Sequence, residues 1–311
     1  RFLGVDVDGI EVVMGGGRRH FLPKDEAFNS TDAVSAVEGD RTDSRNLVAE
    51  WQEKYPQGSY VMDKAGFEAI DADSTPQIFG LFNESHMQYE ADRMNDIVGE
   101  PSLAEMTTKA IDVLDNNDKG FFLTIESGRI DHAHHYGNAF RALHELQEFD
   151  KTISLAAKQV NLDQTLMIVT ADHSHTLTLS GYPTRGNPIL EFVTANNKQG
   201  EADDNYLLAA NGQPFTTLSY ANGLGHCDHY NDQPAENYKP CADGLKEKQT
   251  VDTNDSPTMA NYQQQATVPL FSETHGADDV PIYAQGPWSH LLNGVIEQNV
   301  IFHVMKHAGG L

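Results

Sequence analysis

Short continuous apolar runs alternate along the chain with segments whose apolar residues recur at three- and four-residue steps. The runs at residues 10–14, 121–125 and 165–170 have the length and composition of buried strands. Between the last two runs, residues 132–160 keep the helical period, which predicts one long helix. A strand, a helix and a strand in this order form a β-α-β crossover with two parallel neighbouring strands. The pattern therefore predicts an α/β fold.

Two amphipathic helices are predicted ahead of this crossover. The first covers "SRNLVAEWQEKY" and the second covers "PSLAEMTTKAIDVLDNNDKG". Ser102 and Glu105 have the spacing of a capping box at the start of the second helix, and we expect Gly120 to end it. The buried stripe of this helix is predicted to consist of Leu103, Met106, Ala110 and Leu114.

The pattern changes at residues 181–272, which are turn-rich and lack long periodic elements. "DDVPIYAQG" then predicts a core strand, and "HLLNGVIEQNVIFHVMKHA" predicts a closing helix. We expect an α/β core at residues 1–180, a loop-rich insertion at 181–272 and a return to the core at 273–311. The closing helix is expected to turn five side chains inward: Leu291, Val295, Val300, Val304 and Met305.

The net charge of the chain limits the classes of molecule that it can bind. Its 311 residues include 46 acidic and 21 basic side chains, a net charge of -25. Such a surface repels nucleic acid and anionic lipid, so we expect no nucleic-acid partner. No apolar run approaches the roughly 18 to 20 residues of a membrane-spanning helix, and we expect no such span. The charge suits a secreted or salt-tolerant protein.

The chain has two cysteines, Cys227 and Cys241, in a polar stretch rich in Pro, Asn and Asp. They form either a small disulfide loop in an oxidising compartment or two unrelated free thiols. We favour the disulfide, because free cysteines are usually buried and these flanking residues are typical of exposed chain.

Side chains that are able to bind metal are concentrated directly after the two apolar runs of the predicted crossover. "ESGRIDHAHH" follows the first run and "ADHSH" follows the second. The crevice of an open α/β sheet lies beyond the carboxyl ends of its parallel strands, so we expect these segments to meet. Asp131 and His135 are four residues apart on one helix face and can bind one ion. His132 and His134 lie on other faces, where we expect second-layer or solvent positions.

The ligand types indicate the metal. Imidazole with carboxylate and no thiolate suits zinc, with cobalt, manganese and iron as alternatives. Asp131 and His135 alone are too few ligands for zinc, and His275 in "SETHGADD" is a candidate for a third.

A second and a third ion have candidate ligands of their own. Asp172 and His173 can hold a second ion, and two ions about 4 Å apart stabilise both oxygens of a phosphoryl transfer. Glu126 suits a harder ion such as magnesium, bound through oxygen or water.

Several ordered motifs resemble the alkaline phosphatase family, in particular its animal-like subgroup, which also occurs in marine bacteria. They are "MGGGRRHFLP", "GLFNESHMQYE", "GFFLTIESGRIDHAHH", "VTADHSHT", "GYPTRGNPI", "VPLFSETHGADDVPIYAQGP" and "HLLNGVIEQNVIFHVM". The resemblance covers almost the whole chain, with residues 223–260 the poorest match. It implies a three-layer α/β/α sandwich with a mostly parallel central sheet, and makes residues 181–272 resemble the family's variable crown, often found at a dimer interface.

The resemblance also implies ligands for two zinc ions and one magnesium ion. Asp131, His135 and His275 resemble the ligands of the first zinc. Asp172 and His173 resemble ligands of the second.

The remaining site residues follow from the same comparison. Glu126 resembles the magnesium ligand. His132 and His175 resemble residues of the second layer around the metals; at the position of His132 the enteric subgroup has a lysine. Asn83 departs from the glutamate that follows Leu-Phe in the animal enzymes, which weakens the expectation of their additional calcium site.

The implied activity is hydrolysis of small phosphate monoesters through a phosphoserine intermediate, by a periplasmic or extracellular homodimer. The family's nucleophilic serine has an Asp-Ser-Ala context, and no such tripeptide occurs in this chain. We expect the missing motifs to precede Arg1 and these 311 residues alone to be incomplete and nearly inactive. The alternatives are a related two-metal phosphodiesterase or sulfatase, or a metal-binding remnant without a nucleophile.

Overall fold

The computed structural model describes residues 9–25, 30–32, 38–210, 212–225 and 260–310. The chain divides into two compact units. The first comprises Arg1–Glu126 and Gln147–Val160, and the second Ser127–Leu146 and Asn161–Leu311. The predicted division into core, insertion and core return stays a prediction.

The first unit is built on a three-stranded parallel sheet with helices. Its elements before the long helix are β1 (Val12–Gly15), α1 (Leu47–Lys54), β2 (Ser59–Val61), α2 (Lys64–Glu68), β3 (Ile78–Leu81) and α3 (Leu103–Leu114). The strand order is β1-β3-β2 and both pairings are parallel. Every residue of the central strand β3 is buried, as expected for a strand covered on both faces. The predicted α/β class is confirmed, and so is the predicted strand near residues 10–14.

Helix α3 begins as predicted and ends earlier. Ser102 accepts a hydrogen bond from the Glu105 backbone and Glu105 accepts one from the Ser102 backbone, so the capping box is confirmed. The helix ends at Leu114 rather than near Gly120, because Asn116 donates to the carbonyl groups of Asp112 and Val113 and caps the last turn. The predicted stripe shared only Ala110 with the residues that are buried: Ala104, Thr107, Ala110, Ile111 and Val113.

The second unit contains short strands, and one long helix continues from it into the first unit. Its elements are α4 (Arg129–His135), α5 (Ala139–Gln159), β4 (Met167–Val169), β5 (Ser174–His175), β6 (Leu177–Leu179), β7 (Thr194–Asn196), β8 (Ala202–Tyr206), β9 (Leu218–Gly223), β10 (Ala266–Pro269), β11 (His275–Gly276), β12 (Tyr283–Gln285) and α6 (Val300–Ala308). A three-stranded sheet has the order β10-β9-β6, and the other strands pair as β11-β5, β12-β4 and β7-β8.

The predicted long helix is two helices, α4 and α5, separated by a tight turn. Gly137 has φ +65°, a left-handed conformation that glycine adopts without steric cost. The Asn138 side chain then accepts a hydrogen bond from the Arg141 backbone at 2.8 Å and starts α5. The turn ends α4 just after His135.

The predicted β-α-β crossover was wrong. Residues 121–125 are not assigned to a strand, and Phe122 is 70% exposed. Strand β4 exists, but it pairs antiparallel with β12. An apolar run becomes a strand only where another backbone pairs with it, and the local sequence does not specify that partner. Strand β12 is also more exposed than predicted, with Tyr283 66% exposed.

The closing helix is shorter than predicted. A 3-10 helix covers Ser289–Leu291, and α6 begins only at Val300. Val304 is buried as predicted, whereas Val295 is 90% exposed and Leu291 42% exposed. Asn293 and Gly294, which have low helix propensity, interrupt the expected helix.

Among the described residues, every helix is too short or too polar to span a bilayer. Cys227 and Cys241 lie outside the described residues, so the disulfide stays a prediction.

Candidate metal centre

Three segments of the second unit bring their imidazole and carboxylate groups together. Helix α4 supplies Asp131 and His135, the turn before β5 and β5 itself supply His173 and His175, and β11 supplies His275. Strands β5 and β11 pair antiparallel with His175 opposite His275. The strand pairing and the one-turn spacing on α4 therefore position all five side chains.

Gly276 makes the pairing of β5 and β11 sterically feasible. A Cβ atom at this position would lie 2.5 Å from Ser174 Oγ and 2.8 Å from the His175 carbonyl oxygen. Only glycine allows the two backbones to approach this closely, and the approach brings His275 to the other imidazoles.

Asp131, His135 and His275 form a nearly equilateral triangle of ligand atoms. Asp131 Oδ1 lies 3.3 Å from His135 Nε2 and 3.4 Å from His275 Nε2, and the two Nε2 atoms are 3.2 Å apart. A tetrahedral zinc ion with ligands at about 2.0–2.1 Å requires ligand atoms about 3.3 Å apart. The three side chains predicted to bind the first zinc therefore fit this ion in number, type and spacing.

Two further imidazoles approach the same carboxylate oxygen. Asp131 Oδ1 lies 3.0 Å from His175 Nε2 and 3.8 Å from His173 Nε2. Asp131 Oδ1 and His175 Nε2 are buried, and neither has a hydrogen-bond partner in suitable alignment. Asp131, His173 and His175 form a second set of atoms close enough to share an ion. A cation, whether a metal ion or a proton, stabilises buried polar atoms that face one another in this way.

The surrounding contacts set which ring nitrogen of each histidine is available. His135 Nδ1 lies 2.6 Å from the Glu273 carbonyl oxygen, and His175 Nδ1 lies 2.8 Å from Glu273 Oε2. His173 Nδ1 lies 3.2 Å from the Ser174 carbonyl oxygen. A carbonyl oxygen can only accept a hydrogen bond, so these contacts favour a proton on Nδ1 of His135 and His173 and leave their Nε2 atoms available as ligands. His175 differs, because a carboxylate oxygen faces each of its two ring nitrogens.

Glu273 is the residue of this site that the sequence did not reveal. It is 1% exposed, and its Oε1 atom accepts hydrogen bonds from the backbone and the hydroxyl group of Thr176. Burial alone would raise the pKa of the Glu273 carboxyl group, but the hydrogen bonds from His175 and Thr176 outweigh burial and lower this pKa. The pKa of His175 is raised, because the contact with Glu273 outweighs the opposing effect of burial. In sequence Glu273 is one of 46 acidic residues.

His134 lies behind the ligands, in the second layer, which is one of the two positions that the sequence predicted for it. Its ring stacks on that of His175 at a centroid distance of 4.7 Å, and its Nδ1 lies 2.9 Å from the Tyr220 hydroxyl oxygen. Burial and the neighbouring His175 lower the pKa of His134 to about 4, so this ring is neutral at neutral pH. It supports the His175 ring.

Three predicted residues stand apart from the closest ligand sets. Asp172 is 82% exposed, with its Oδ2 atom 3.6 Å from His173 Nε2. His132 is half-buried on α4, and Glu126 is exposed at the end of a segment of the first unit. Within the described ranges, none of the three belongs to the groups whose atoms can share an ion. Their predicted roles stay predictions.

Comparison with known proteins identifies the family. The family model for alkaline phosphatase matches residues 4–311. The chain belongs to the alkaline phosphatase family. It is 40% identical over 306 residues to the tissue-nonspecific alkaline phosphatase of Gallus gallus, covering 97% of this chain and 53% of the relative. The corresponding human protein is 37% identical with the same coverage, and the alkaline phosphatase of Gadus morhua is 36% identical over 310 residues, 99% of this chain and 59% of the relative.

A solved structure supports the fold. The chain is similar to a cold-active alkaline phosphatase from a psychrophilic Shewanella, with a TM-score of 0.54 and 19% sequence identity over 96% of this chain and 65% of that one. The resemblance inferred from the motifs is thus confirmed at the level of family and α/β fold. The chain spans about half the length of the curated relatives it matches.

Proposed function

We propose that this chain supplies most of the metal ligands of an alkaline phosphatase that hydrolyses phosphate monoesters. The observation that carries the proposal is the triangle of Asp131, His135 and His275, whose ligand atoms are 3.2–3.4 Å apart. Membership of the alkaline phosphatase family supplies the reaction class.

The proposed first zinc site consists of Asp131, His135 and His275. Two imidazoles and a carboxylate match zinc in chemistry, and the contact of His135 Nδ1 with the Glu273 carbonyl oxygen orients the His135 ring. When bound, a pair of metal ions stabilises the attacking and leaving oxygens of an in-line displacement at phosphorus.

The proposal also keeps the remaining ligands inferred from the motifs. Asp172 and His173 are proposed for the second zinc and Glu126 for magnesium. The 3.6 Å distance between His173 Nε2 and Asp172 Oδ2 supports the first of these, since two ligand atoms this close can bind one ion. His175 remains beside the metals, holding its Nε2 atom 3.0 Å from Asp131 Oδ1.

The phosphoserine intermediate belongs to the proposal as well. No Asp-Ser-Ala sequence is present among the 311 residues to provide its nucleophile. We therefore expect these residues alone to bind metal and phosphate with little or no turnover. For the same protein we propose a homodimer located in the periplasm or outside the cell, in keeping with its net charge of -25.

Phosphate binding tests the proposal. Inorganic phosphate is the product common to all phosphate monoesters, so the zinc- and magnesium-loaded chain should bind it, and a chelator should abolish the binding. Calorimetric titrations with phosphate, sulfate and bis(p-nitrophenyl) phosphate would give the order of affinity. We expect phosphate to bind most tightly. Preference for sulfate or the diester, or phosphate binding that survives metal removal, would contradict the proposed function.

A further inference from the structure

Asn-Gly pairs are the positions of a protein chain that lose side-chain ammonia most readily, because glycine lets its own backbone nitrogen reach the preceding amide carbon. The sequence has three such pairs, which begin at Asn211, Asn222 and Asn293. Asn211 lies outside the described residues. The other two pairs have the same local chemistry, so a difference in their reactivity must come from the fold.

Asn293 and Gly294 lie in an irregular segment between the 3-10 helix at Ser289–Leu291 and α6. Both residues are exposed, and the next residue, Val295, is 90% exposed. Among the described residues, neither the Asn293 side chain nor the Gly294 N–H group has a hydrogen-bond partner. Gly294 has φ +74°, and a Cβ atom built on it has no neighbour within 4 Å. The backbone at Gly294 can therefore change conformation without a clash or the loss of a hydrogen bond.

Asn222 and Gly223, in contrast, are held in the sheet β10-β9-β6. The Asn222 Nδ2 group donates to Thr274 Oγ1 at 2.9 Å, and Asn222 Oδ1 accepts from Thr274 N at 3.0 Å. Gly223 pairs with Pro269 of β10, and a Cβ atom built on it would lie 3.1 Å from Glu273 Cβ. The amide group and the backbone that would have to move towards it are both fixed, so the pair reacts only after local opening of the sheet.

We propose that Asn293 is a site of spontaneous deamidation and isomerisation, and that the fold protects Asn222 from the same reaction. The Gly294 nitrogen forms a bond to Asn293 Cγ and releases its proton, the bond from Cγ to Nδ2 breaks, and ammonia leaves. Water then opens the five-membered imide ring at one of its two carbonyl groups, which gives aspartate or isoaspartate. Each event adds a negative charge to a chain whose net charge is -25. Isoaspartate also lengthens the main chain, because the backbone then runs through the side-chain carbon.

Mass spectrometry of proteolytic peptides follows the reaction, because replacement of an amino group by a hydroxyl group gives a measurable mass gain. The full chain is incubated in mildly alkaline buffer, one sample folded and one unfolded in urea, with Asn222 as the internal control in both. We expect conversion at Asn293 to be at least about tenfold faster than at Asn222 in the folded chain, and the two rates to become similar in urea. Enzymatic methylation of isoaspartate identifies the product that forms through the ring.

Two variants test the ring-closing step. In Gly294→Ala a methyl group hinders the attacking nitrogen, so we expect conversion at Asn293 to be several-fold slower and conversion at Asn222 to be unchanged. Asn293→Gln moves the amide carbon one bond further away and should abolish the fast reaction at this position.

Equal rates at Asn222 and Asn293 in the folded chain would overturn the proposal. So would an Asn293 that stays intact in the folded chain while it reacts in urea. Aspartate without isoaspartate would indicate direct hydrolysis and contradict the ring-closing step. If Gly294→Ala does not fold, the comparison of the two sites in the wild-type chain decides the matter.

Discussion

His135 Nε2 and His275 Nε2 lie 3.2 Å apart, although 140 positions separate the two residues in the sequence. Two ring nitrogens at this distance need a proton or a cation between or beside them, because two facing lone pairs repel. Asp131 Oδ1 completes the arrangement at 3.3 and 3.4 Å from the same two atoms. The fold thus builds a three-ligand site from one helical turn and one distant strand.

Gly276→Ala should disturb the metal centre without removing a ligand. The new Cβ atom would lie 2.8 Å from the His175 carbonyl oxygen, so β5 and β11 must separate. Overpacking of this kind costs about 1–3 kcal/mol, and we expect both the free energy of unfolding in urea and the zinc affinity to fall. Gly15→Ala is the control, since a Cβ atom there has no neighbour within 4 Å. Equal zinc affinity in the wild-type and Gly276→Ala chains would contradict the steric explanation.

Asn138→Ala should destabilise the turn that separates α4 from α5. Asn138 is fully buried, accepts from the Arg141 backbone and donates to the Ala260 carbonyl oxygen at 2.8 Å. The variant loses a helix cap and one of the two donors to the Ala260 carbonyl oxygen, since the Arg141 side chain also donates to it. We expect the free energy of unfolding to fall by about 1–2 kcal/mol. Asn138→Ser restores a capping oxygen and should lose less. A Ser variant as unstable as the Ala variant would show that capping is not the main contribution.

Arg18→Met tests a buried ionic group in the first unit. Arg18 is 1% exposed, forms ion pairs with Asp32 and Glu38, and donates to the Leu81 carbonyl oxygen at 2.8 Å. Removing the guanidinium group leaves two buried carboxylates uncompensated, for which we expect a loss of about 3–5 kcal/mol in urea unfolding. Arg45→Met removes an exposed arginine and should have a much smaller effect. Comparable losses in the two variants would contradict this explanation.

Local sequence patterns were sufficient for some features of the fold and site. The capping box of α3 depends on residues three apart, and the pairing of Asp131 with His135 depends on one helical turn. Both are properties of a continuous segment. "ADHSH" is likewise a continuous segment, and its residue types alone identify it as rich in candidate metal ligands.

Features that depend on distant backbone partners could not be derived in this way. Residues 121–125 have a strand-like composition but are not assigned to a strand, and β4 pairs with β12 from a later part of the chain. His275 was only a weak candidate until the family resemblance supported it, because a single loop histidine has no local signal. Glu273 was missed for a related reason: its partners His135 and His175 are 138 and 98 positions away.

Zinc binding by the metal-free chain tests the central claim most directly. The affinity for zinc would be measured by chelator competition for the wild-type chain, Asp131→Asn, His135→Ala and His275→Ala, with the exposed His303→Ala as control. Loss of a residue behind a ligand typically lowers metal affinity 10- to 100-fold. Each ligand variant should lose more than this, a decrease in zinc affinity of more than about 100-fold. His303→Ala should match the wild type. Wild-type affinity in His275→Ala, or no zinc binding by the wild-type chain, would contradict the claim that these three side chains hold one ion.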